Sequence, residues 1–440
     1  MSVTQRVDFK NPASAQPLSD QEIQKRLATG KVSNTARSIY EAKKQGPAAR
    51  PPSAAPKLGS LSADTDEAME VSDPSLDRSD ESAIAINPRD PRNIVAGAAS
   101  FDGTQFINTA YVTKDRGKTW TTVTALKNTD EGAGIAFDDS GNCYYTTMQG
   151  GFAPVCSVST DGGMTWGPSA AFGFGDKTAV AARGKTALCG FDRVNTEACA
   201  YTLDGGVSWT VHDFTDSGIG TAPLVSYDQK DFYIIYAALD NNLKLYASHD
   251  QGATWTGPTT IVAGNAPEST IAGPLSYEGG ALTSPGTNVA IDGRGHLHVL
   301  YIDSAKSVPM YTSSRDKGVT WSKPVEVDTK RPKDAHMWPC LSCTKDGDLQ
   351  GGSLVFDAKT GKYSILVHSK PRDEDEWDTF EADSGPWSAA GPSPSFRIGF
   401  GDYFDCDSLP NTDEFSVMAW SETKNGAQPW QTWVRILDLD

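Results

Sequence analysis

From about residue 78 onward, short apolar segments alternate with tight polar turns along the chain. Two apolar segments flank one such turn in each of five stretches: AINPRDPRNIV (85–95), AFDDSGNCYY (136–145), SYDQKDFYII (226–235), AIDGRGHLHV (290–299) and VFDAKTGKYSI (355–365). Alternation around turns rich in Gly and Asp is typical of antiparallel hairpins. The pattern therefore predicts an all-β structure.

An octapeptide of the form S/T-x-D-x-G-x-[ST]-W interleaves with these hairpins. Its five copies are TKDRGKTW (113–120), STDGGMTW (159–166), TLDGGVSW (202–209), SHDQGATW (248–255) and SRDKGVTW (314–321), with DSGPW (383–387) as a shortened sixth. The first four tryptophans are 43 to 46 residues apart, and the next two intervals are 66 residues. A β-type repeat of this length predicts four-stranded propeller blades, two of them preceded by an insertion.

Seven blades are predicted, with six as the alternative if the sixth unit is only an insertion. The units lie near 80–126, 132–170, 177–215, 222–262, 286–328, 351–392 and 399–438. The seventh ends after its third strand, TWVRILDL, so the ring needs a fourth strand from elsewhere. We expect the chain just before residue 80 to supply it.

Residues 1–77 differ in composition from the propeller predicted at 78–440. The segment GPAARPPSAAPKLGS (46–60) is rich in Pro, Ala and Ser and cannot bury a core, although two segments before it can form short helices. We interpret 1–77 as a largely disordered, flexible arm.

A net charge of −17 argues against nucleic acid and anionic membranes as partners, because both are bound through basic surfaces. The N-terminus has no apolar signal core, which predicts a cytoplasmic protein, or a secreted one if a signal has been removed. Cys340 and Cys343 form the one C-x-x-C among seven cysteines. A local disulfide or two thiols are favoured over zinc there, and no metal ligands are predicted.

The octapeptide resembles the Asp-box, or BNR repeat, and the resemblance to Asp-box propellers of the sialidase superfamily covers residues 80–440. It implies that the Asp residues of the octapeptides are structural and lie on the face opposite the active site. They are Asp115, Asp161, Asp204, Asp250 and Asp316. The ligand site is then expected at the mouth of the central channel on the other face, walled by two insertions at 264–286 and 328–351.

The same resemblance implies a sialidase-like glycoside hydrolase. By residue type, Arg397 and Arg193 would clamp the substrate, Tyr403 with Glu131 or Glu81 would form a nucleophile pair, and Asp402 would be the acid. Arg397 stands in FRIG (396–399), where the family has aromatic-Arg-Ile-Pro in the first blade. His336 and Trp338, in the second insertion, are expected to contact the substrate.

Two other functions remain open at this stage. One is a glycan- or protein-binding propeller without turnover. The other is a polysaccharide lyase in which His336 and His368 act as acid and base on acidic sugars. No cofactor is predicted, and calcium bound by oxygen ligands of the acidic rim is the one ion considered. His296 and His298 are expected to pack between blades rather than to bind zinc.

Overall fold

The chain folds as a seven-bladed β-propeller. The computed structural model describes residues 4–8, 68–76, 78–193, 196–265, 288–328, 334–382, 386–388, 404–409, 415–423 and 430–438. The strands in these ranges form seven antiparallel sheets, and the innermost strand of each sheet contacts the innermost strands of its two neighbours. Seven blades are therefore confirmed, and the six-bladed alternative was wrong.

The strands follow one another in chain order around the ring. Before the first blade come β1 (Thr4–Asp8) and β2 (Met69–Glu70). Blade 1 contains β3 (Arg78–Ile86), β4 (Ile94–Phe101), β5 (Phe106–Thr113) and β6 (Thr121–Lys127). Blade 2 contains β7 (Thr129–Phe137), β8 (Cys143–Gln149), β9 (Ala153–Ser159) and β10 (Ala170–Ala171). Blade 3 contains β11 (Asp176–Arg183), β12 (Thr186–Asp192), β13 (Glu197–Thr202) and β14 (Ser208–Asp213).

The remaining blades repeat this order. Blade 4 contains β15 (Gly218–Val225), β16 (Phe232–Ala238), β17 (Asn242–Ser248) and β18 (Thr256–Ala263). Blade 5 contains β19 (Val289–Ile291), β20 (Leu297–Ile302), β21 (Pro309–Ser314) and β22 (Val325–Glu326). Blade 6 contains β23 (Ala335–Cys343), β24 (Leu349–Asp357), β25 (Lys362–Lys370) and β26 (Asp378–Glu381). Blade 7 contains β27 (Asp405–Ser408), β28 (Phe415–Glu422) and β29 (Gln431–Asp438).

Two faces of the ring follow from the antiparallel order within a blade. The turn after the innermost strand and the turn before the outermost strand lie at one end, which we call the lower face. Connections between the second and third strands, and between successive blades, lie at the other end, the upper face. Each innermost strand therefore begins near the upper face and ends near the lower face.

The ring is closed by β2, which pairs with β29 as the outermost strand of blade 7. Val71 extends this pairing, since its N–H donates to the Thr432 carbonyl at 3.0 Å. The Glu70 carboxylate also accepts a hydrogen bond from the Gln431 side chain at 2.5 Å. The prediction that the chain before residue 80 supplies the missing strand is confirmed.

A fifth strand extends blade 3, because β1 pairs with β14 in antiparallel register from Thr4 opposite His212 to Asp8 opposite Ser208. The rest of the predicted N-terminal arm, up to residue 67, lies outside the described residues. Within the described ranges, no helix is long and apolar enough to cross a membrane.

The five complete octapeptides form identical turns on the lower face. In the turn of blade 2, the Asp161 carboxylate accepts hydrogen bonds from the Ser159 hydroxyl (2.8 Å), the Thr165 N–H (2.9 Å) and the Thr165 hydroxyl (2.6 Å). Gly163 has a φ of 96°, which favours glycine. Because Asp115, Asp204, Asp250 and Asp316 hold their turns in the same way, we call the five segments the Asp turns.

Each Asp turn also contacts the preceding blade. Asn93 of blade 1 donates its side-chain amide to the Gly162 carbonyl at 3.1 Å, and Tyr201 of blade 3 donates its hydroxyl to the Gly252 carbonyl at 3.1 Å. Apolar side chains fill the space between blades. Trp209, for example, is 1% exposed and lies 5.1 Å from the Phe172 ring of blade 2. The core is therefore a ring of interfaces between blades rather than one central cluster.

Three sequence predictions for blade 6 were wrong. Residues 328–351 were expected to be an upper-face insertion, but Ala335–Cys343 is the innermost strand β23. The hairpin at 355–365 joins the second and third strands instead of the first and second. Trp387 of DSGPW follows the outermost strand and pairs with Tyr363, whereas the octapeptide tryptophans stand at the start of that strand. All strands share the same pattern of short apolar segments between polar turns. Because AHMWPCLSC was not recognised as a strand, the strands that follow it in blade 6 were each assigned one position too early.

Candidate functional site

Among the described residues, the innermost strands of blades 1, 2, 3, 4 and 6 are bulged near the upper face. The register of β3, β7, β11, β15 and β23 shifts close to their upper ends. Glycine occupies the left-handed position in two of these bulges, at Gly132 and Gly220. Glu81, Lys177 and Trp338 occupy it in the other three, with φ of 54°, 53° and 46°. Such strain costs about 1–3 kcal/mol per residue and concentrates at functional sites, which directs attention to the upper channel.

Charged side chains from blades 1 and 3 meet at this level. Arg78 donates its Nε–H to Asp80 at 2.6 Å, and both side chains are fully buried. Burial raises the pKa of Asp80 to about 6 even though Arg78 opposes the change. We call Arg78, Asp80, Glu81 and Lys177 the upper-channel cluster.

Glu81 is the most perturbed acid of this cluster. It is buried, and its Oε2 accepts the Gly132 N–H at 2.5 Å. Its Oε1 has no hydrogen-bond partner among the described residues. Burial, reinforced by the charge of Asp80 and opposed by Arg78 and Lys177, raises the pKa of Glu81 to about 7. A strained carboxyl with a free oxygen and a pKa near neutrality can transfer a proton.

Four other predicted site residues fall outside what the structure describes. Arg397, Asp402 and Tyr403 lie beyond the described ranges. Glu131 belongs to β7, at the bulge of blade 2, but its side chain is not among those described. Their predicted roles stay predictions.

Arg193 braces a loop of blade 3. Its Nε–H donates to Asp213 at 2.9 Å, and its Nη1 donates to the Phe174 carbonyl at 2.5 Å. The guanidinium also lies 4.9 Å from the Phe191 ring. Nε and Nη1, two of the three guanidinium nitrogens that a substrate clamp can use, thus already donate to protein groups.

His336 and His368 are part of a hydrogen-bonded chain that crosses blade 6. The Ser353 hydroxyl lies 3.0 Å from His336 Nδ1 and 2.9 Å from His368 Nε2, and His368 Nδ1 lies 3.0 Å from the Thr379 hydroxyl. His336, Ser353 and His368 are all fully buried. Burial inside a blade does not support the acid/base role in a lyase.

Trp338 is 3% exposed and belongs to the apolar core between blades 6 and 7, together with Trp420 and Trp430. A buried indole cannot stack on a sugar. The expectation that His336 and Trp338 lie on an upper-face loop was wrong, because both are residues of β23.

A pair of acids that the sequence analysis did not combine faces the same side of the ring. Asp192 ends β12 and Glu197 begins β13, and the two are directly opposite each other. The Thr221 hydroxyl lies 2.8 Å from Asp192 Oδ1 and 2.6 Å from Glu197 Oε2. One hydroxyl hydrogen cannot serve both contacts, so a carboxyl proton must complete them. The hairpin spacing of DRVNTE is the signal that could have identified this pair.

Burial raises the pKa of Asp192 to about 7 and that of Glu197 well above its ordinary value. The two carboxyls therefore share a proton near neutral pH. Their contact is too close for a glycosidase pair, whose carboxyls are about 5 Å or more apart. We interpret the pair as a link between blades 3 and 4.

Among the described residues, no group of three His, Cys, Asp or Glu side chains could hold a metal ion. His296 Nδ1 lies 3.0 Å from Asp292, and His298 Nδ1 lies 2.7 Å from the Tyr311 hydroxyl. All seven cysteines are buried and unpaired. Cys340 and Cys343 are both on β23, and the thiol next to Cys340 is Cys406 of blade 7.

A cavity of about 140 Å³ occupies the lower half of the central channel. Its walls come from the later residues of all seven innermost strands, including Ile86, Phe137, Ile291 and Ser408. Asp405 and Asp407 of β27 border it and accept the N–H groups of Ile84 and Ile86, each at 2.9 Å. The cavity therefore lies below the upper-channel cluster, toward the Asp turns.

Comparisons with known proteins find solved structures of similar fold but do not show a family for the chain. No protein-family model and no curated protein matches the chain. Solved structures that resemble it include a protein of unknown function from Dyadobacter fermentans DSM 18053, with 13% identity over 85% of this chain and 98% of that one (TM-score 0.50).

Two further propellers have lower TM-scores. One is a point mutant of the Aleuria aurantia lectin in complex with α-methyl-L-fucoside, with 12% identity over 69% of this chain and 96% of that one (TM-score 0.45). The other is the Trypanosoma rangeli sialidase in complex with the inhibitor DANA, with 12% identity over 66% and 55% of the two chains (TM-score 0.41). At these identities the likeness extends to the propeller fold alone.

Proposed function

We propose that the chain is a carbohydrate-active propeller that binds a glycan at the upper end of its central channel and hydrolyses a glycosidic bond there. The observation that carries the proposal is Glu81, a strained, buried carboxyl with an unbonded oxygen and a pKa of about 7. A glycosidase needs a carboxyl that exchanges a proton near neutral pH, and burial is the usual way to obtain one.

In this proposal Glu81 exchanges a proton with Tyr403, and Asp402 protonates the leaving group. These roles come from the Asp-box resemblance and from residue type. Arg78 and Lys177 lie near Glu81 and oppose the rise of its pKa, so either would stabilise the anion that forms when Glu81 gives up its proton.

The test is hydrolysis of a panel of aryl glycosides, including an aryl α-sialoside, by the full chain. Glu81→Gln keeps the shape and removes the titrating proton, so kcat/KM should fall at least about 100-fold. Asp407→Asn is the matched control, since Asp407 also has a raised pKa but lies at the other end of the channel. Equal rates for wild type and Glu81→Gln would overturn the role of Glu81.

A glycan-binding propeller without turnover is the second candidate. It is supported by the sequence of the first blade, which lacks the aromatic-Arg-Ile-Pro motif that the Asp-box resemblance leads one to expect in an enzyme. The outcome expected for this candidate is that the chain cleaves no glycoside of the panel but retains at least one glycan on an array. Failure of both assays would remove the carbohydrate proposal altogether.

A further inference from the structure

The cavity in the lower half of the channel is distinct from the proposed glycan site. Its volume of about 140 Å³ is close to that of an engineered protein cavity that holds one benzene molecule, about 150 Å³. Glu81 lies on the upper, bulged part of β3, whereas the cavity begins at Ile84 on the same strand and continues downward. A small molecule in the cavity would approach from the lower face and would not meet the proposed catalytic carboxyl.

Arg183 borders this cavity at its lower end. It is the last residue of β11, and its Cζ lies 4.5 Å from the centre of the Tyr227 ring. Its Nη2 also contacts the Tyr227 hydroxyl at 3.4 Å. The flat face of the guanidinium is thus held by an aromatic ring. Within the described ranges, no acidic group forms an ion pair with Arg183 within 4.0 Å.

Groups from two other blades line the cavity beside Arg183. Burial raises the pKa of Asp407 and of Cys343, and the positive charge of Arg183 opposes the rise in both. Asp407 belongs to blade 7 and Cys343 to blade 6, and both line the cavity with Arg183 of blade 3. Lys345 lies 5.8 Å from the Tyr227 ring, whereas the nearby Asp139 accepts the Gly184 N–H at 2.8 Å.

The walls above Arg183 combine hydroxyl groups and aliphatic side chains with the buried carboxyls of Asp405 and Asp407. Ser342 and Ser408 border the cavity, with their hydroxyl oxygens 2.7 Å apart. Apolar residues from the other blades complete the lining, among them Ile135, Val180, Leu224, Val289 and Leu341. Such walls suit a short aliphatic chain that carries a polar group, whereas the arginine at the mouth suits a carboxylate.

We propose that the lower end of the central channel binds a small carboxylic acid, with its carboxylate on Arg183 and its short chain in the cavity. Arg183 provides parallel N–H donors for the two carboxylate oxygens, and Lys345 adds positive charge at the rim. The site goes beyond the proposed glycan function, because it lies on the opposite face and uses none of the same residues.

The test measures binding of L-lactate to the full chain by saturation-transfer NMR, with L-lactamide as the neutral isostere and inorganic phosphate as a second anion. Arg183→Met keeps the aliphatic stem beside Tyr227 and removes the charge, so we expect Kd for lactate to rise at least about tenfold. Arg89→Met is the control, because Arg89 is an exposed lower-face arginine bonded to the Ser140 carbonyl. Glu81→Gln should bind lactate like wild type.

Three outcomes overturn the proposal: no binding of lactate at about 10 mM, equal binding of lactate and lactamide, or equal Kd for wild type and Arg183→Met. Phosphate binding that exceeds lactate binding would replace the carboxylic acid by an inorganic anion. Thermal melting of each variant checks that a lost signal is not a lost fold.

Asp407 provides a second, independent readout. Its pKa of about 6 means that it becomes an anion near Arg183 as the pH rises. Among the described residues, the charged groups around the mouth include Arg183, Lys345, Asp139 and Asp407, with Asp292 and Asp348 near the Cys343 wall and Asp405 deeper in the cavity. Lactate should therefore bind more tightly at about pH 5.5 than at about pH 7.5, and Asp407→Asn should abolish most of this difference. An unchanged pH dependence in Asp407→Asn would contradict the proposed position of the carboxylate.

Discussion

The Asp192–Glu197 pair shows how a single proton can hold two blades together. Asp192 accepts the Gly220 N–H at 3.0 Å, and Thr221 contacts both acids, so the pair of blade 3 is bonded to the innermost strand of blade 4. These contacts can all be hydrogen bonds only while one of the two carboxyls is protonated. Nearby Asp216 raises the pKa of Glu197 further.

We predict that Glu197→Gln makes the chain more resistant to alkaline pH. Both folded-state pKa values are raised, so the stability that the pair contributes is complete below the unfolded pKa of about 4 and is lost as pH rises through about 7. A neutral amide at position 197 cannot ionise, so the pair never carries two negative charges. Its N–H group can still donate to Asp192 or Thr221. Melting temperatures between about pH 5 and pH 9 should fall less steeply in the variant, by a few degrees at the upper end.

The control for this prediction is Asp250→Asn, because the contribution of Asp250 to stability changes with pH in the opposite direction. The Thr254 hydroxyl and N–H hold the pKa of Asp250 below its ordinary value, so its contribution to stability is present above the unfolded pKa and is lost as pH falls. If Glu197→Gln and wild type had parallel stability–pH curves, the shared proton would be excluded.

At the scale of the element, the Asp turns are fasteners between strands and between blades. Asp204 accepts the Ser208 N–H at 2.9 Å and the Ser208 hydroxyl at 2.7 Å, while the Thr202 hydroxyl donates to it at 2.8 Å. Gly206 approaches Val158 of blade 2 so closely that a Cβ at this position would lie 2.7 Å from the valine. The turn thus fixes both its own hairpin and the contact of that hairpin with the preceding blade.

We predict that Asp204→Ala lowers the free energy of unfolding by about 1 kcal/mol, as expected when a side chain that bonds a turn's N–H groups is removed. Asp204→Asn keeps an acceptor oxygen and should lose less. Val207→Thr in the same turn, at a residue that is 66% exposed, should be neutral. Urea unfolding measures all three, and an Asp204→Ala variant as stable as Val207→Thr would show that the turn is held by other contacts.

Much of this element-level architecture could be predicted from the sequence, because Asp, Gly and Trp recur at fixed spacing around each turn. The site was less predictable. Glu81, Lys177 and Trp338 adopt left-handed backbone conformations although none of them is a glycine. Their residue types therefore do not predict the bulges that orient their side chains. Arg183 and Tyr227 come from different blades and meet only because the ring closes.

At the scale of the whole molecule, stability depends on the short strand β2. It covers the edge of β29, which would otherwise present unpaired backbone groups. The Val71 side chain adds to this closure, since it is 7% exposed and packs with Ile84, Phe415 and Ile436.

We predict that Val71→Pro destabilises the chain more than Val71→Ala does. The alanine loses two buried methyl groups, at a cost of about 1–2 kcal/mol. The proline also loses the N–H that bonds the Thr432 carbonyl, which adds about 1–3 kcal/mol and uncovers the edge of β29. Thermal unfolding combined with light scattering should show a lower melting temperature and earlier aggregation for the proline variant. Equal behaviour of the two variants would mean that the ring is closed by side chains alone.

The pairing of β2 with β29 also has a consequence for synthesis. Glu70 and Gln431, whose side chains bond in the finished ring, are 361 residues apart, so six blades are synthesised between them. Blades 1 to 6 hold their own four strands and can form as they emerge, but blade 7 cannot be completed until β29 has been synthesised. Until then β2 has no partner strand, and a chain that stops before β29 never provides one.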